Sequence, residues 1–169
     1  MSQSRGRPLR LNAYDVDRFR SRVLATSTCA IWLGAVGADG YGRFSLRQPG
    51  GGRERMVTPH QVAAVLAFGE LAEGVTLLHD CDVRLCVRTG PGHVRVGTQA
   101  ENMRQAAWRG RARGPRPGLV DVRGRVGASR AVQKAMRAST DRSPDGLARV
   151  LAEALAAGDP LRHHGRLWG

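Results

Sequence analysis

Metal-ligating side chains are concentrated in the middle of this chain. His79, Cys81, Cys86 and His93 follow one another closely, although the 169 residues contain only three cysteines and five histidines. A structural zinc ion takes four tetrahedral sulfur or nitrogen ligands, and the loop that begins at Cys81 offers three of them. Cys29 is the natural fourth ligand, so the sequence predicts a zinc site that ties two distant segments together. The alternative is that the thiols are buried without a metal.

The composition indicates that such a staple is needed. Aromatic residues make up only 5% of the chain, whereas there are 22 glycines and 8 prolines. A small core of this kind gains much from a metal, because structural zinc supplies about 10 to 16 kcal/mol of apparent binding energy. An odd number of cysteines also favours thiolate ligands over disulfides in a reducing compartment.

The charge of the chain predicts a polyanionic partner. Lysine and arginine total 27 against 14 acidic residues, a net charge of +13, and Lys134 is the only lysine. Arginine binds phosphate and guanine edges bidentately, so double-stranded DNA is the expected partner. The sequence has no apolar run that is long enough to span a membrane. It also has no signal-peptide pattern. We therefore expect a cytoplasmic, nucleoid-associated protein with no membrane partner.

The first half of the chain has several local structural signals. Residues 1–12 predict a basic arm, and Asp15 to Leu24 predict a short helix with Val16, Phe19 and Val23 on one face. From Cys29 to Leu46, two runs on either side of a Gly-Ala-Asp-Gly turn predict a hairpin. The composition of residues 49–53 is typical of a flexible loop.

The segment around the cysteines predicts two strands between two helices. Thr58 and Pro59 start a helix that runs to about Phe68, with an apolar face of Val62, Val65, Leu66 and Phe68. Val75 to Leu78 predict a strand that enters His79, and His93 to Val96 predict its returning partner. Thr98 and Glu101 then form a capping box, which places Asn102 in the first turn of a helix.

The last third of the chain is expected to be separate from this domain. We predict a domain over residues 13–110, a basic linker over 111–127 and a helical appendage over 128–169, with helices from Ala128 to Ala138 and from Ser143 to Ala157. The appendage is consistent with two roles. One is DNA recognition by Arg125, Arg130, Lys134 and Arg137, and the other is packing or dimerisation through Val150, Leu151 and Leu155.

Two polar residues remain for chemistry once zinc has four ligands. His79 is then free beside a metal-pinned loop, and an imidazole there can accept a proton from a water molecule that attacks a phosphodiester. Asn102 offers an amide oxygen to a hard cation such as Mg²⁺, which takes its other ligands from water and phosphate. The sequence thus predicts a catalytic base and a catalytic cation site next to a structural zinc site.

The motifs HDCDVRLC and PGHVRVGTQAENM resemble the HNH and His-Cys box endonucleases, of the homing type found in phage and actinobacterial genomes. The likeness extends over residues 17–103, through DRFRSRV, CAIWLGAVGADGYGRF and PHQVAAVLAFGEL. It implies an α+β, zinc-stapled ββα-metal core with small hairpins and flanking helices. It also implies the following roles: general base, His79; zinc ligands, Cys29, Cys81, Cys86 and His93; ligand of the catalytic cation, Asn102.

Two features depart from the pattern of that family. The loop that ends at His93 is longer than usual, and Leu78 stands where many members have an aspartate as a second cation ligand. The cation would then be held mainly by Asn102 and DNA. Arg43 is the candidate to stabilise the scissile phosphate, and other arginines would flank the duplex: Arg47, Arg53 and Arg55. The stretches 5–8 and 111–117 resemble minor-groove arms, or are plain basic linkers.

These observations together predict a metal-dependent DNA endonuclease, and the resemblance implies that it leaves 5′-phosphate and 3′-hydroxyl ends. A homodimer would cut both strands, whereas a monomer would nick one. The alternative is a zinc-stabilised DNA-binding protein without cleavage activity, and an RNA-directed nuclease is a third candidate.

Overall fold

The computed structural model describes residues 9–47, 54–71, 75–109 and 121–160. This part of the chain forms five helices and six short strands, a mixed α+β fold as predicted. In chain order they are α1 (Ala13–Arg20), β1 (Val23–Ala25), β2 (Ala30–Trp32), β3 (Phe44–Leu46), β4 (Arg55–Val57), α2 (Pro59–Phe68), β5 (Thr76–His79), β6 (Val94–Gly97), α3 (Gln99–Trp108), α4 (Gly124–Ala138) and α5 (Pro144–Ala156). The strands pair as three separate antiparallel ribbons, β1 with β2, β3 with β4 and β5 with β6.

The β5–β6–α3 unit matches its prediction to within a residue. The two strands pair in register from Thr76 opposite Gly97 to His79 opposite Val94. Helix α3 starts with the expected capping box, in which the Glu101 amide donates to the Thr98 hydroxyl at 3.2 Å and the Thr98 amide donates to the Glu101 carboxylate at 2.7 Å. Asn102 therefore lies in the first helical turn, directly after the strand that pairs with His79.

The helix predicted from Asp15 to Leu24 is wrong in its second half. It begins at Ala13, behind an Asn12 N-cap, and ends at Arg20, whereas Val23–Ala25 form a strand. The cause is a tight turn in which the Thr26 amide donates to the Cys29 carbonyl at 2.7 Å. That turn joins β1 to β2, and the pairing of Val23 with Trp32 replaces a further turn of helix.

The hairpin predicted from Cys29 to Leu46 is only partly correct. Its turn is present, since Val36 bridges Gly42 and Gly40 adopts the left-handed φ of 81°. Its flanking runs pair elsewhere, however, because one edge of β2 is occupied by β1 and the other by the cysteine loop. On that side the Trp32 amide donates to the Leu85 carbonyl at 2.8 Å. Strand β3 pairs with β4 instead.

Helix α2 has the predicted bounds, with Thr58 as its N-cap, but its buried face differs from the prediction. Val62, Ala63 and Ala64 are buried, whereas Leu66 and Phe68 are 41% and 46% exposed. Small residues face the core because α2 packs closely on β6, and the larger side chains therefore lie outside.

An aromatic trio forms the centre of the core. The ring of Trp32 lies 5.8 Å from that of Phe19 and 5.5 Å from that of Phe44, in stacked and edge-to-face arrangements respectively. Such pairs contribute about 0.5 to 1.5 kcal/mol beyond the burial of their area. Three elements that are distant in sequence, α1, β2 and β3, are held together in this way.

Helices α4 and α5 belong to the same core, which corrects the expectation of an appendage. Val132, Met136, Leu147 and Leu151 are buried in the hydrophobic cluster that holds the aromatic trio. The Gln133 side chain also donates to two carbonyls of the β2 region, at 3.1 Å and 2.7 Å. The apolar face of α5 is thus turned largely toward its own chain, although Leu155 is 38% exposed.

Several predicted segments lie outside the described residues: the N-terminal arm up to residue 8, the loop 49–53 and residues 110–120 of the linker. The helices that are described include none that is long and apolar enough to cross a membrane.

Truncation of Met136 tests whether α4 is integral to the fold. Met136→Ala should lower the free energy of unfolding by about 2 to 5 kcal/mol, because Met136 is fully buried in the hydrophobic cluster that includes the aromatic trio. Urea unfolding followed by Trp32 fluorescence, with Trp108 and Trp168 replaced by Phe, measures the effect. Lys134→Ala on the exposed face of α4 is the control. An unchanged Trp32 transition in Met136→Ala would show that α4 unfolds independently.

Candidate metal centre and adjoining cleft

The four predicted zinc ligands meet at one point. The sulfurs of Cys29, Cys81 and Cys86 and one ring nitrogen of His93 all lie within 4.8 Å of one another. His93 presents Nδ1, which is 3.7 Å from the Cys86 sulfur and 3.9 Å from the Cys29 sulfur. Tetrahedral zinc with bonds of about 2.0 to 2.3 Å requires ligand separations of about 3.5 to 3.8 Å. The cluster can therefore hold a metal ion such as zinc after a small contraction.

Backbone pairing delivers these ligands from distant parts of the chain. The Thr26 hydroxyl accepts from the Cys29 amide at 2.8 Å and fixes the turn that holds Cys29. Strand β2 then pairs with the cysteine loop, where Ile31 bridges Cys86. The guanidinium of Arg88 donates to the Thr26 carbonyl at 2.6 Å and closes this corner.

The long loop before His93 has a defined conformation. Gly90 and Gly92 take left-handed φ values of 111° and 79°, a region that L side chains rarely adopt. The Gly90 amide donates to the Val94 carbonyl at 2.9 Å, and the His93 amide donates to the Gly90 carbonyl at 3.1 Å. The two glycines thus return the longer loop to the register of β6 and bring His93 to the cysteines.

The three sulfurs are close enough to share protons. Hydrogen bonds with Cys81 and Cys86 raise the pKa of the Cys29 thiol, and hydrogen bonds with Cys29 and Cys81 lower the pKa of the Cys86 thiol. Three sulfurs this close together would repel each other as thiolates. A dication supplies much more positive charge at that point, which is the electrostatic reason for metal binding by this cluster.

His79 ends β5, two residues before the first cysteine of the loop, and it is buried. Its Nδ1 is 3.1 Å from the Val83 carbonyl oxygen, which can only accept, so Nδ1 carries the proton. The other nitrogen, Nε2, is shielded from solvent, and no group in the described part of the chain forms a hydrogen bond of normal geometry with it, although the ring lies close enough to the Cys81 sulfur to interact with that thiol. The imidazole is therefore held in the tautomer that leaves an acceptor lone pair on Nε2.

Two residues that sequence reasoning did not assign to the site, Tyr41 and His60, surround His79. The His60 ring lies 4.7 Å from the His79 ring at an interplanar angle of 87°, and the Tyr41 ring lies 5.6 Å from both. Burial, together with the neighbouring His79 and Arg43, lowers the pKa of His60 to about 3. His60 is therefore neutral near pH 7.

A cleft of about 220 Å³ opens beside His79 and brings it together with Asn102. Its walls come from the 39–41 turn, the end of β5, the cysteine loop, α3 and the start of α4. The other lining residues are Asp39, Tyr41, Leu77, Leu78, Asp82, Arg84, Gln105, Ala106, Arg109 and Arg125. Arg125 lies in the segment predicted to be a linker, but α4 already begins at Gly124, so this helix contributes to the cleft as well as to the core.

Arg109 and Asp80 fasten α3 to the end of β5. The Arg109 guanidinium donates to the His79 carbonyl at 3.1 Å and to the Asp80 carbonyl at 2.8 Å. The Asp80 carboxylate accepts from Arg95 at 2.8 Å and from Gln105 at 2.9 Å. These bonds fix the position of the helix that carries Asn102 relative to His79.

Arg43, the predicted phosphate ligand, is paired within the chain. Its guanidinium lies 2.8 Å from the Asp39 carboxylate, which lowers the pKa of Asp39 against the effect of burial. It is not among the residues that line the cleft, where Arg84, Arg109 and Arg125 are found instead. Of the other predicted arginines, Arg47 lies over the Tyr14 ring, and Arg53 is outside the described residues.

The residue before His79 is buried, so a charged side chain at this position would lose its contact with water. Leu78 is 1% exposed, and its side chain lies so close to Gly97 that a Cβ there would be 2.5 Å from it. An aspartate in its place would be buried against β6. The carboxylates that do line the cleft are Asp39 and Asp82, which pair with Arg43 and Arg109 respectively.

Comparisons with known proteins give one relationship. No family model matches the chain, and no solved structure matches it either. The chain is 30% identical over 83 residues to Protein 7.7 of Escherichia phage T7, a match that covers 49% of this chain and 58% of the phage protein. The chain thus spans less than two thirds of that relative, whose name states no activity.

Proposed function

We propose that this protein is a metal-dependent DNA endonuclease of the HNH kind, with a ββα-metal core formed by β5, β6 and α3. The observation that carries the proposal is the state of His79. Its Nδ1 is bound to the Val83 carbonyl, and its Nε2 has no partner in the described part of the chain, beside a cleft that also contains Asn102. A buried acceptor without a partner is costly in a folded protein, and at the edge of a cleft it marks a functional group.

The residues of the cleft suit hydrolysis of a phosphodiester. His79 accepts a proton at Nε2 from a water molecule whose oxygen attacks the phosphorus. The bond from phosphorus to the 3′ oxygen breaks, and that oxygen takes a proton from solvent, which leaves 5′-phosphate and 3′-hydroxyl ends. Asn102 would hold a Mg²⁺ ion, which would supply Lewis-acid stabilisation of the charge that develops on the phosphate.

Arginine binds the polyanion in this proposal. Arg84, Arg109 and Arg125 line the cleft, and the chain as a whole carries a net charge of +13. Phosphate contacts of this sort position a duplex without reading its sequence. Arg43 acts indirectly in this arrangement, because its partner Asp39 forms part of the cleft wall.

One observation favours a second candidate, a zinc-stabilised DNA-binding protein without cleavage activity. The position of Leu78 provides no carboxylate for a cation, and both acids that line the cleft are paired with arginine. Asn102 is then the principal protein ligand. A site with so few ligands binds Mg²⁺ only together with the phosphate of the substrate.

Asn102→Ala tests the cation site and the proposed function together. We expect the wild-type protein to nick supercoiled plasmid when Mg²⁺ is present. A chelator that removes Mg²⁺ but leaves the zinc bound should stop the nicking. The variant should cut about 100-fold more slowly, since a lost Lewis acid costs several kcal/mol. Nicking is followed on agarose gels, with zinc content and duplex binding measured in the same preparations.

Met103→Ala is the matched control, because Met103 follows Asn102 on the same helix and is 56% exposed. If Asn102→Ala cut DNA at the wild-type rate, Asn102 would not be the ligand of a catalytic cation. Tight duplex binding by a zinc-loaded wild type that cuts no DNA would establish the second candidate. Preferential cutting of RNA would change the substrate class.

A further inference from the structure

Three aromatic rings meet beside the cleft, and only one of them has a role in the proposed reaction. His60 and His79 are arranged edge to face at 4.7 Å, and Tyr41 completes the triangle at 5.6 Å from each. Rings at these separations are in mutual contact, and edge-to-face geometry is favoured over a parallel sandwich. His79 therefore has two aromatic neighbours that also contact each other.

The orientation of His79 requires more than its single hydrogen bond. The bond from Nδ1 to the Val83 carbonyl sets the tautomer, but it leaves the imidazole free to swing about that contact. Tyr41 and His60 contact each other as well as His79, so they cover one side of the imidazole, and a swing toward that side meets one of the two rings. A base must be placed within a few tenths of an ångström and about 10 to 20 degrees of the productive geometry.

His60 is itself held firmly. Its Nε2 lies 3.0 Å from the Thr58 hydroxyl, the residue that caps α2, so the ring is tied to the start of a helix. A group that stays neutral can pack against another imidazole without competing for its proton, and the strongly lowered pKa of His60 meets that requirement.

Tyr41 is positioned from the opposite side. It lies in the turn that contains Gly40, and its carbonyl accepts from the Gly37 amide at 2.8 Å. The Gly40 carbonyl in turn accepts from the buried Ser129 hydroxyl of α4 at 2.6 Å. The placement of the Tyr41 ring thus depends on the packing of the C-terminal helices.

We propose that Tyr41 and His60 form an aromatic clamp that fixes the imidazole plane of His79 and shields its Nε2 from bulk water. Both are positioning residues, which act through His79 and not on the substrate. The proposal rests on the role of His79 as the base, and the clamp itself has a consequence that does not require cleavage. With the clamp intact, Nε2 reacts slowly with a small electrophile.

The alternative is that the rings are ordinary packing residues. Paired substitutions separate the two, because a Phe keeps a ring at each position and an Ala removes it. His60→Ala and Tyr41→Ala should lower kcat about 10- to 100-fold and leave KM nearly unchanged, since a misplaced base costs rate and not binding. His60→Phe and Tyr41→Phe should restore most of that loss. His60→Gln, which keeps a polar group near Thr58 but no ring, should not.

Modification by diethyl pyrocarbonate is the second measurement. The rate of carbethoxylation at His79, followed by mass spectrometry of its peptide, should rise at least several-fold in both Ala variants and stay near the wild-type rate in both Phe variants. Circular dichroism and zinc content ensure that only folded protein is compared. The modification rate tests the clamp even if the wild-type protein cuts no DNA.

The two measurements distinguish failure of the clamp from failure of the nuclease proposal. If wild type cuts DNA and His60→Ala has an unchanged kcat, the clamp has no role in positioning and the proposal is overturned. If His60→Gln restores the rate and His60→Phe does not, the hydrogen bond to Thr58 matters and the ring contact does not, which also overturns it. If wild type does not cut, an unchanged modification rate in both Ala variants overturns the clamp. A raised rate there supports the clamp while the nuclease proposal fails.

Discussion

Replacement of Cys29 by serine is expected to unfold most of the chain at 25 °C. Among the described residues, Cys29 is the only candidate zinc ligand outside the loop of residues 81–93, and it is buried at the junction of β2 with that loop. Structural zinc contributes about 10 to 16 kcal/mol of apparent binding energy, as much as the total stability of about 5 to 15 kcal/mol of an ordinary domain. Loss of this ligand therefore removes more than a local contact.

The measurement compares urea unfolding of wild type and Cys29→Ser with and without a strong zinc chelator. The chelator should lower the folded fraction of wild type to that of the variant, and the variant itself should hardly respond. Elemental analysis should give one zinc per wild-type chain. Ala30→Ser, which places a hydroxyl at the neighbouring partly buried position, is the matched control for added polarity. A wild type that lacks zinc and ignores the chelator would show that the thiols are simply buried.

The features that sequence predicted well are those with local causes. Thr98 and Glu101 satisfy each other's backbone amides wherever the helix lies, so the capping box and the place of Asn102 follow from a few neighbouring residues. Thr58 with Pro59 fixes the start of α2 for a similar reason. The ligand set could also be predicted, because zinc demands four soft or imidazole donors and the chain offers few others.

The features that sequence missed depend on contacts between distant segments. The pattern of alternation from Tyr41 to Ser45 is equally compatible with any strand partner, and the partner was decided by the cysteine loop, which occupies the edge of β2. His60 gave no signal of its own, since a histidine near a helix start is usually a surface residue. Only the packing of α2 against the 39–41 turn places it beside His79.

The placement of the C-terminal helices also could not be predicted from the sequence. The Gly- and Pro-rich stretch before it predicted a boundary, and composition alone contains no information about where a helix docks. Ser129 and Gln133 bind carbonyls of the 32–40 region, and Arg125 reaches the cleft. The alternatives of DNA recognition and packing are therefore not exclusive, because α4 contributes a buried face to the core and an arginine to the candidate site.

The second large effect is expected from His79→Ala. Removal of a general base lowers the rate by about 100- to 10,000-fold, and the neighbouring histidine is a poor substitute, because His60 resists protonation and its Nε2 lies against Thr58. Zinc content and duplex binding should be unchanged. Nicking of supercoiled plasmid with Mg²⁺ measures the loss, with Met103→Ala as the variant that should retain full activity.

Chemical rescue sharpens this prediction. The alanine leaves a buried space the size of an imidazole between Tyr41, His60 and the Val83 carbonyl, so free imidazole should restore part of the lost rate. Substituted imidazoles of higher pKa should restore more, up to the size that the space admits, because a stronger base removes the proton of water more readily. The same additive should not rescue Asn102→Ala, whose defect is the cation. If His79→Ala cuts as fast as wild type, the base is another group. The unpartnered Nε2 would then require a different explanation, since a buried nitrogen without a hydrogen bond lowers the stability of the folded protein.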